Sequence, residues 1–370
     1  MNLKTKKIMV GAFACTAMIL GVSANATKGT LSVNAVDFPN CTLVDINHAN
    51  QTISNDYQAY GFTTNGVSVK NPHIEIAERT GELLLRLVDF NTVGADYNHI
   101  SAVPFIEYTG TSKFKLLIYY EGTNTFTYQS DCKRIDSKAI PAFNLGRANV
   151  TFISRHKGSM TIYGADGEDG INGVDGRMGK IGIESTGYDG GNGGRGTDGK
   201  NGTNGQRGCS AVKCNSIAFL NPYNLKLYGG NGGNGGNGGK GGNGGRGGQP
   251  GKHKGNGGNG GNGGNGGKGG DAAYMGLPFE VNTLSNLDIP TTTEGFELVP
   301  GTRGTPGKGG EGGEGGRGMK GSDPTYFLWW VTAEYSDGVD GQKGKKGEDG
   351  SRAIDSYRYE MYKDIFNIAW

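Results

Sequence analysis

The sequence predicts an all-β N-terminal domain, sandwich- or jelly-roll-like, joined to a bundle of six antiparallel polyglycine-II helices. Three observations predict it. Most of the 72 glycines fall in six tracts with Gly at every third position, at residues 164–182, 187–208, 229–251, 255–270, 301–321 and 338–350. Short apolar-alternating runs recur before residue 163, separated by turn residues, and none has helical periodicity. Hydrophobic loops join the tracts where a flexible linker would be polar throughout.

A period of three belongs to the polyproline-II conformation, which rises ~3.1 Å per residue and makes no internal hydrogen bonds. Its peptide groups need partners outside the segment, and a face of glycines lets another backbone approach. Collagen needs abundant Pro, yet the chain has 11 prolines and the tracts contain only Pro250 and Pro306. Tracts 3 and 4 read mostly Gly-Gly-X, with two bare faces, and belong in mid-layer. Tracts 1, 2 and 6 read mostly Gly-X-X and flank them, while tract 5 is mixed. On this periodicity the stretch 164–350 resembles the Gly-rich antifreeze proteins of springtails and the tip adhesins of T-even-like phages. The resemblance implies stacked polyglycine-II helices and, from the adhesins, binding through loops at the far end.

The chain opens with Lys4, Lys6 and Lys7, an apolar run over residues 8–22, and Ala24-Asn25-Ala26. That order reads as a signal peptide over residues 1–26 and places the mature protein outside the cell, secreted or on a bacterial surface. The apolar run is short for a stable membrane span. Export leaves Cys41, Cys132, Cys209 and Cys214, an even number in an oxidising compartment, read as two disulfides with Cys209 and Cys214 as the local pair.

Residues 27–163 form the expected β domain, with strands read at 30–36, 41–46, 67–69, 73–76, 83–88, 114–120, 125–128, 150–153 and 160–163. Residues 164–350 form the Gly-rich rod, ~50–70 Å long at the rise of its conformation. If the tracts alternate in direction, the apolar loops at 209–228 and 271–300 gather at the proximal end as a hydrophobic cap. The segment 351–370 caps the same end.

Catalytic and cofactor signatures are absent from the sequence. The five histidines make no His-Glu-x-x-His, and there is no Gly-x-Ser-x-Gly and no phosphate loop. A partial calcium nonapeptide at 193–198 has Gly199 where a large apolar residue belongs. Net charge is +2, with acids interleaved among the bases, which disfavours nucleic acid. The reading is a non-enzyme without metal or cofactor, a binding protein for an unknown surface ligand, protein or glycan, with homo-oligomers an option.

The site is read in the distal connection, where Tyr326, Phe327, Leu328, Trp329 and Trp330 place two of the three tryptophans together. Aromatics supply contact area at low entropy cost. The alternatives are a matrix or fibre component associating through Gly-rich faces, and, less favoured, ice binding, which wants small flat side chains where this chain has Asn, Lys, Arg, Asp and Glu.

Overall fold

A computed structural model gives the fold. It describes residues 43–46, 51–53, 59–94, 104–129, 140–283, 289–290, 293–327, 330–352, 362 and 365. The signal segment, the strand expected at 30–36, Cys41 and Cys132 lie outside the described residues.

Among the described residues the strands form three parallel β-sheets and one separate antiparallel hairpin. The first sheet orders β1 (Leu43–Asp45), β3 (Ala59–Thr63), β6 (Leu83–Val88), β9 (Phe114–Glu121), β12 (Ala148–Ser154) and β15 (Ser216–Leu220). The second orders β2 (Gln51–Ile53), β5 (Ile74–Ile76), β8 (Ile106–Tyr108), β11 (Phe143–Asn144), β14 (Val212–Cys214) and β17 (Phe279–Val281). The third orders β4 (Ser68–Lys70), β7 (Asn91–Gly94), β10 (Thr123–Tyr128), β13 (Ser159–Tyr163), β16 (Leu225–Tyr228) and β18 (Glu297–Val299). The chain visits the first, third and second sheet in turn, so each circuit stacks on the last as one coil of a three-sided solenoid.

This corrects the expected sandwich. Alternation along β6 and β9 is what a half-buried strand of either fold shows, with every second residue facing the core. The difference lies in the partners. Leu84 pairs with Leu117 and Leu117 with Thr151, offsets of 33 and 34 residues, where a sandwich would use hairpins. The corners from the first sheet to the third are tight and take left-handed backbone, for example at Asp89 (φ 47°) and Gly122 (φ 61°) on successive coils. Buried Asn124 stitches the coils together: its Oδ1 accepts Phe90 N–H at 3.1 Å, and its Nδ2 donates to Glu121 O and Ser159 O. Inside the coils, Phe126 packs against Phe90, Phe105 and Phe143.

The loops expected to cap the rod are coils of this solenoid. Ile217, Leu225, Leu227, Leu277 and Phe279 all enter the same core as the N-terminal strands. Tyr362 joins them, fully buried, and its hydroxyl takes Val281 N–H at 2.7 Å on the edge strand β17.

The tracts are insertions at one corner of the solenoid. Tract 1 starts directly after β13, tract 3 after β16 and tract 5 after β18; tracts 2 and 4 lead back to β14 and β17. The expected bundle of polyglycine-II helices is not retained: no helix is assigned in any tract, and nothing collagen-like is formed. The neighbours are also not simply antiparallel. Tracts 1, 3 and 5 run parallel in one layer and tracts 2, 4 and 6 in another, with the two layers opposed. The reason is the parallel sheet beneath. β13 and β16 pair at an offset of 65 residues, as Met160 with Leu225, and Asp166 meets Asn231 at the same offset. β16 and β18 pair at 71, as do Asn231 and Thr302. β14 and β17 pair at 67, as do Asp189 and Asn256. The sheet sets the register, and the tracts carry it outward as extended chain.

Glycine is required there by close approach. A Cβ on Gly236 would sit 2.1 Å from Ile171 O, and one on Gly264 2.1 Å from Thr197 O. The third residue of the triplet has its own task. Asn237 Oδ1 accepts Lys308 N–H and Asn262 Oδ1 accepts Gln342 N–H, both at 2.8 Å, so these side chains serve the next tract as well as water.

The expected disulfides are corrected where they are described. Cys209 and Cys214 are both reduced, buried thiols. They are five residues apart along an extended run, about 16 Å at most, and a disulfide needs Cα atoms within ~7 Å. Burial pushes the Cys214 thiol well up from its ordinary value. We expect a thiol-directed dye to leave this segment unlabelled in the native protein and to label both cysteines after denaturation; prompt native labelling would contradict the burial.

Candidate binding tip

At the end away from the solenoid, three connections meet. Tracts 1 and 2 turn at residues 183–187, tracts 3 and 4 at Lys252-His253-Lys254, and tracts 5 and 6 through a hairpin of β19 (Thr325–Phe327) and β20 (Trp330–Ala333). Backbone bonds lock the first two turns: His253 N–H donates to Gly187 O and Gly251 N–H to Tyr188 O. The third is tied to the second, with Ser322 N–H on Gly255 O, Gly255 N–H on Ser322 Oγ and Lys254 Nζ on Pro324 O. The sequence folds this way because each tract pair is held in register to its end, which leaves no slack for the turns to separate.

The hairpin pairs Phe327 with Trp330 and Tyr326 with Val331, with a register irregularity next to Thr325. Of the five residues read as the tip site, Tyr326, Phe327 and Trp330 lie on this hairpin backbone. Leu328 and Trp329 lie outside the described residues.

Other side chains supply a surface that the aromatic run alone did not reveal. Ile183 is 80% exposed and Tyr188 69% exposed. Tyr188 stacks on His253 with ring centroids 5.3 Å apart. A shallow hollow nearby is lined by Arg246, Arg317, Gly318, Met319 and Lys320. Lys320 is held by Asp323 at 3.3 Å, whereas Arg246, Arg317 and Lys252 make no ion pair among the described residues. Tyr188 and Ile183 were legible only as flanks of a turn; what brings them to the hairpin is the lateral register. The described side chains at this end thus include exposed Ile183, the Tyr188 ring and the cations Arg246, Arg317 and Lys252, groups that suit apolar and anionic partners.

No cluster of three or more metal-binding side chains occurs among the described residues. No helix among them is long and apolar enough to cross a membrane.

No family model matches the chain, and no curated protein matches it. Among solved structures, the springtail antifreeze protein from Granisotoma rainieri, described as a nine polyproline type II helical bundle, is 23% identical. The alignment covers 52% of this chain and 95% of that one, with a TM-score of 0.07. At that score the likeness carries no argument, and the expected kinship with Gly-rich bundle proteins is withdrawn.

Proposed function

We propose that this chain is an exported, adhesin-like binding protein that acts by recognition rather than catalysis, and that its ligand contacts the tip of the Gly-rich rod. The signal-peptide pattern supports the exported location. The observation that carries the site is the convergence of three connections at one end, exposing Ile183 and Tyr188 beside unpaired Arg246 and Arg317. Such an end suits a negatively charged ligand with flat apolar faces, on a surface glycan or protein. The solenoid anchors the rod, which spans at most about 80 Å and separates the tip from its base.

The test is a double variant, Trp329→Ala with Trp330→Ala, in the mature chain, assayed on glycan arrays and whole cells. Binding should fall at least ~10-fold, the loss of one good aromatic anchor, while the thermal melt stays at the wild-type value. Arg246→Ala should weaken binding to acidic probes more than to neutral ones. A melt that collapses in the double variant would make the aromatics a structural cap. Full binding by a folded double variant would move the site away from the tip.

A further inference from the structure

Tract 1 is the outermost member of its layer, and its free edge is unlike every internal one. Its glycines donate to tract 3, and the carbonyls of Glu168, Ile171, Val174, Arg177 and Lys180 accept from tract 2. The peptide groups of Asp166, Asp169, Asn172, Asp175, Met178 and Ile181 make no lateral backbone bond among the described residues. Their counterparts in tract 3 are used twice. Asn234 O accepts Gly170 N–H, and Asn234 N–H donates to Asp169 Oδ1. Tract 1 thus presents unused hydrogen-bonding groups along its length.

The side chains on that edge are exposed and apolar in the middle. Ile171 is 75% exposed, Val174 66%, Met178 62%, Ile181 50% and Ile183 80%. Ile171, Val174 and Ile183 share the second position of their triplets with Glu168, Arg177 and Lys180. Met178 and Ile181 share the third with Asp166, Asp169, Asn172 and Asp175, whose side chains turn to tract 3. The exposed second-position row marks a contact surface. Charge is ordered along the same row. Glu168 lies towards the solenoid and Arg177 and Lys180 towards the tip, and none of the three makes an ion pair among the described residues.

We propose that this edge binds the same edge of a second copy, antiparallel, across a two-fold axis at Val174. Rotation about that point sets Glu168 opposite Lys180, Ile171 opposite the aliphatic stem of Arg177, and Val174 opposite itself. A parallel arrangement sets Glu168 on Glu168 and Lys180 on Lys180, and like charges in contact reject it. Self-complementarity of one patch is what a two-fold dimer requires.

On the opposite side of the lattice, the third residues of the tract 6 triplets, Asp340, Lys343, Lys346 and Asp349, also make no backbone bond among the described residues, but Lys343 and Lys346 are paired with Glu314 and Glu311 of tract 5. The carboxylates of Asp337, Asp340 and Asp349 in and before tract 6 already take the N–H groups of Gly321, Gly318 and Gly309. Head-to-tail growth onto that side would meet charged side chains already engaged within the lattice and no free partners for Glu168 and Lys180. The contact covers about 50 Å by about 10 Å of each copy, so roughly 1,000 Å² in all, at the low end for a specific interface. The dimer is therefore reversible, and its ion pairs make it sensitive to salt.

Sedimentation velocity on the mature full-length chain tests it. Wild type should be a monomer–dimer mixture at micromolar concentration that shifts to monomer as salt rises. Glu168→Lys alone and Lys180→Glu alone should each weaken the dimer at least ~10-fold, and the two together should restore it. Val174→Asp, which sets two carboxylates at the axis, should leave only monomer. All these positions lie on the open edge, so an unchanged melt certifies each variant as folded. A wild type that stays monomeric, assemblies larger than a dimer, or a charge swap that fails to restore the dimer would each overturn the proposal. The tip variants should dimerise like wild type, which separates failure here from failure of the binding site.

Discussion

Gly236→Ala should destabilise the protein by about 3 kcal/mol or more, although alanine adds a single methyl group. The new Cβ would lie 2.1 Å from Ile171 O and 2.5 Å from Ile171 C, backbone atoms that cannot swing aside. Tract 3 cannot retreat either. Its N–H groups are committed to tract 2 and tract 5, and its carbonyls accept from tract 1 and tract 4. Overpacking costs ~1–3 kcal/mol, and each lateral bond stretched by the displacement adds ~0.5–1.5 kcal/mol. In a flexible linker the same change would have the opposite sign, gaining ~0.4–1 kcal/mol from the unfolded chain. Chemical denaturation reads the difference directly. Asn237→Ser is the matched control: it gives up the bond to Lys308 N–H at an exposed position where water substitutes, so about 1 kcal/mol bounds its cost. Equal tolerance of both changes would refute the lateral lock.

Phe126→Ala should cost about 3–5 kcal/mol, the usual range for emptying an aromatic site in a packed core. Phe126 is fully buried, with Phe143 at 4.7 Å, Phe90 at 5.5 Å and Phe105 at 5.6 Å between ring centroids. The more telling readout is the shape of the melt. The tracts take their register from β13, β16 and β18, so a weakened solenoid should lower a single transition for the whole molecule. Loss of the β signal with the tract hydrogen exchange unchanged would show that the two parts fold independently.

Local structure was legible in the sequence to a useful degree, and partnership was not. The run 83–88 matches β6, and 114–120 and 160–163 lie within β9 and β13, because alternation of buried with less buried residues is a local property. What each strand pairs with depends on coils of unequal length. β3 and β6 are offset by 25 residues, as Ala59 with Leu84, and β10 and β13 by 36, as Thr123 with Ser159. No repeat marks such coils. Ile217, Leu225 and Leu227 looked like cap residues because tracts separate them from the N-terminal strands, yet they complete the same sheets. The triplet was plain, and so was the mixed character of tract 5. Its second glycine starts at Gly309, where tract 6 comes to lie against it: a Cβ on Gly309 would meet Gly347 O at 2.0 Å. The lateral bonds of the asparagines were not legible, since nothing in one triplet says that the next tract in the layer presents an N–H at the same level. Cys209 and Cys214 looked paired by proximity in sequence, which an extended segment turns into distance. At the far end of the tracts, the aromatic run gave no sign of Tyr188 and Ile183, which arrive beside the hairpin from another connection.

The junctions at Tyr163–Gly164, Tyr228–Gly229 and Val299–Pro300 have a mechanical consequence. All three leave neighbouring strands of one sheet in the same direction. A pull on the far end, directed along the tracts, reaches the solenoid through three parallel strands at once. The lateral bonds lie across that pull and are strained together in shear, where a peeling load would rupture them one after another. Tension is shared before any single bond yields, so the fold resists extension along its length more than it resists being unzipped from its side.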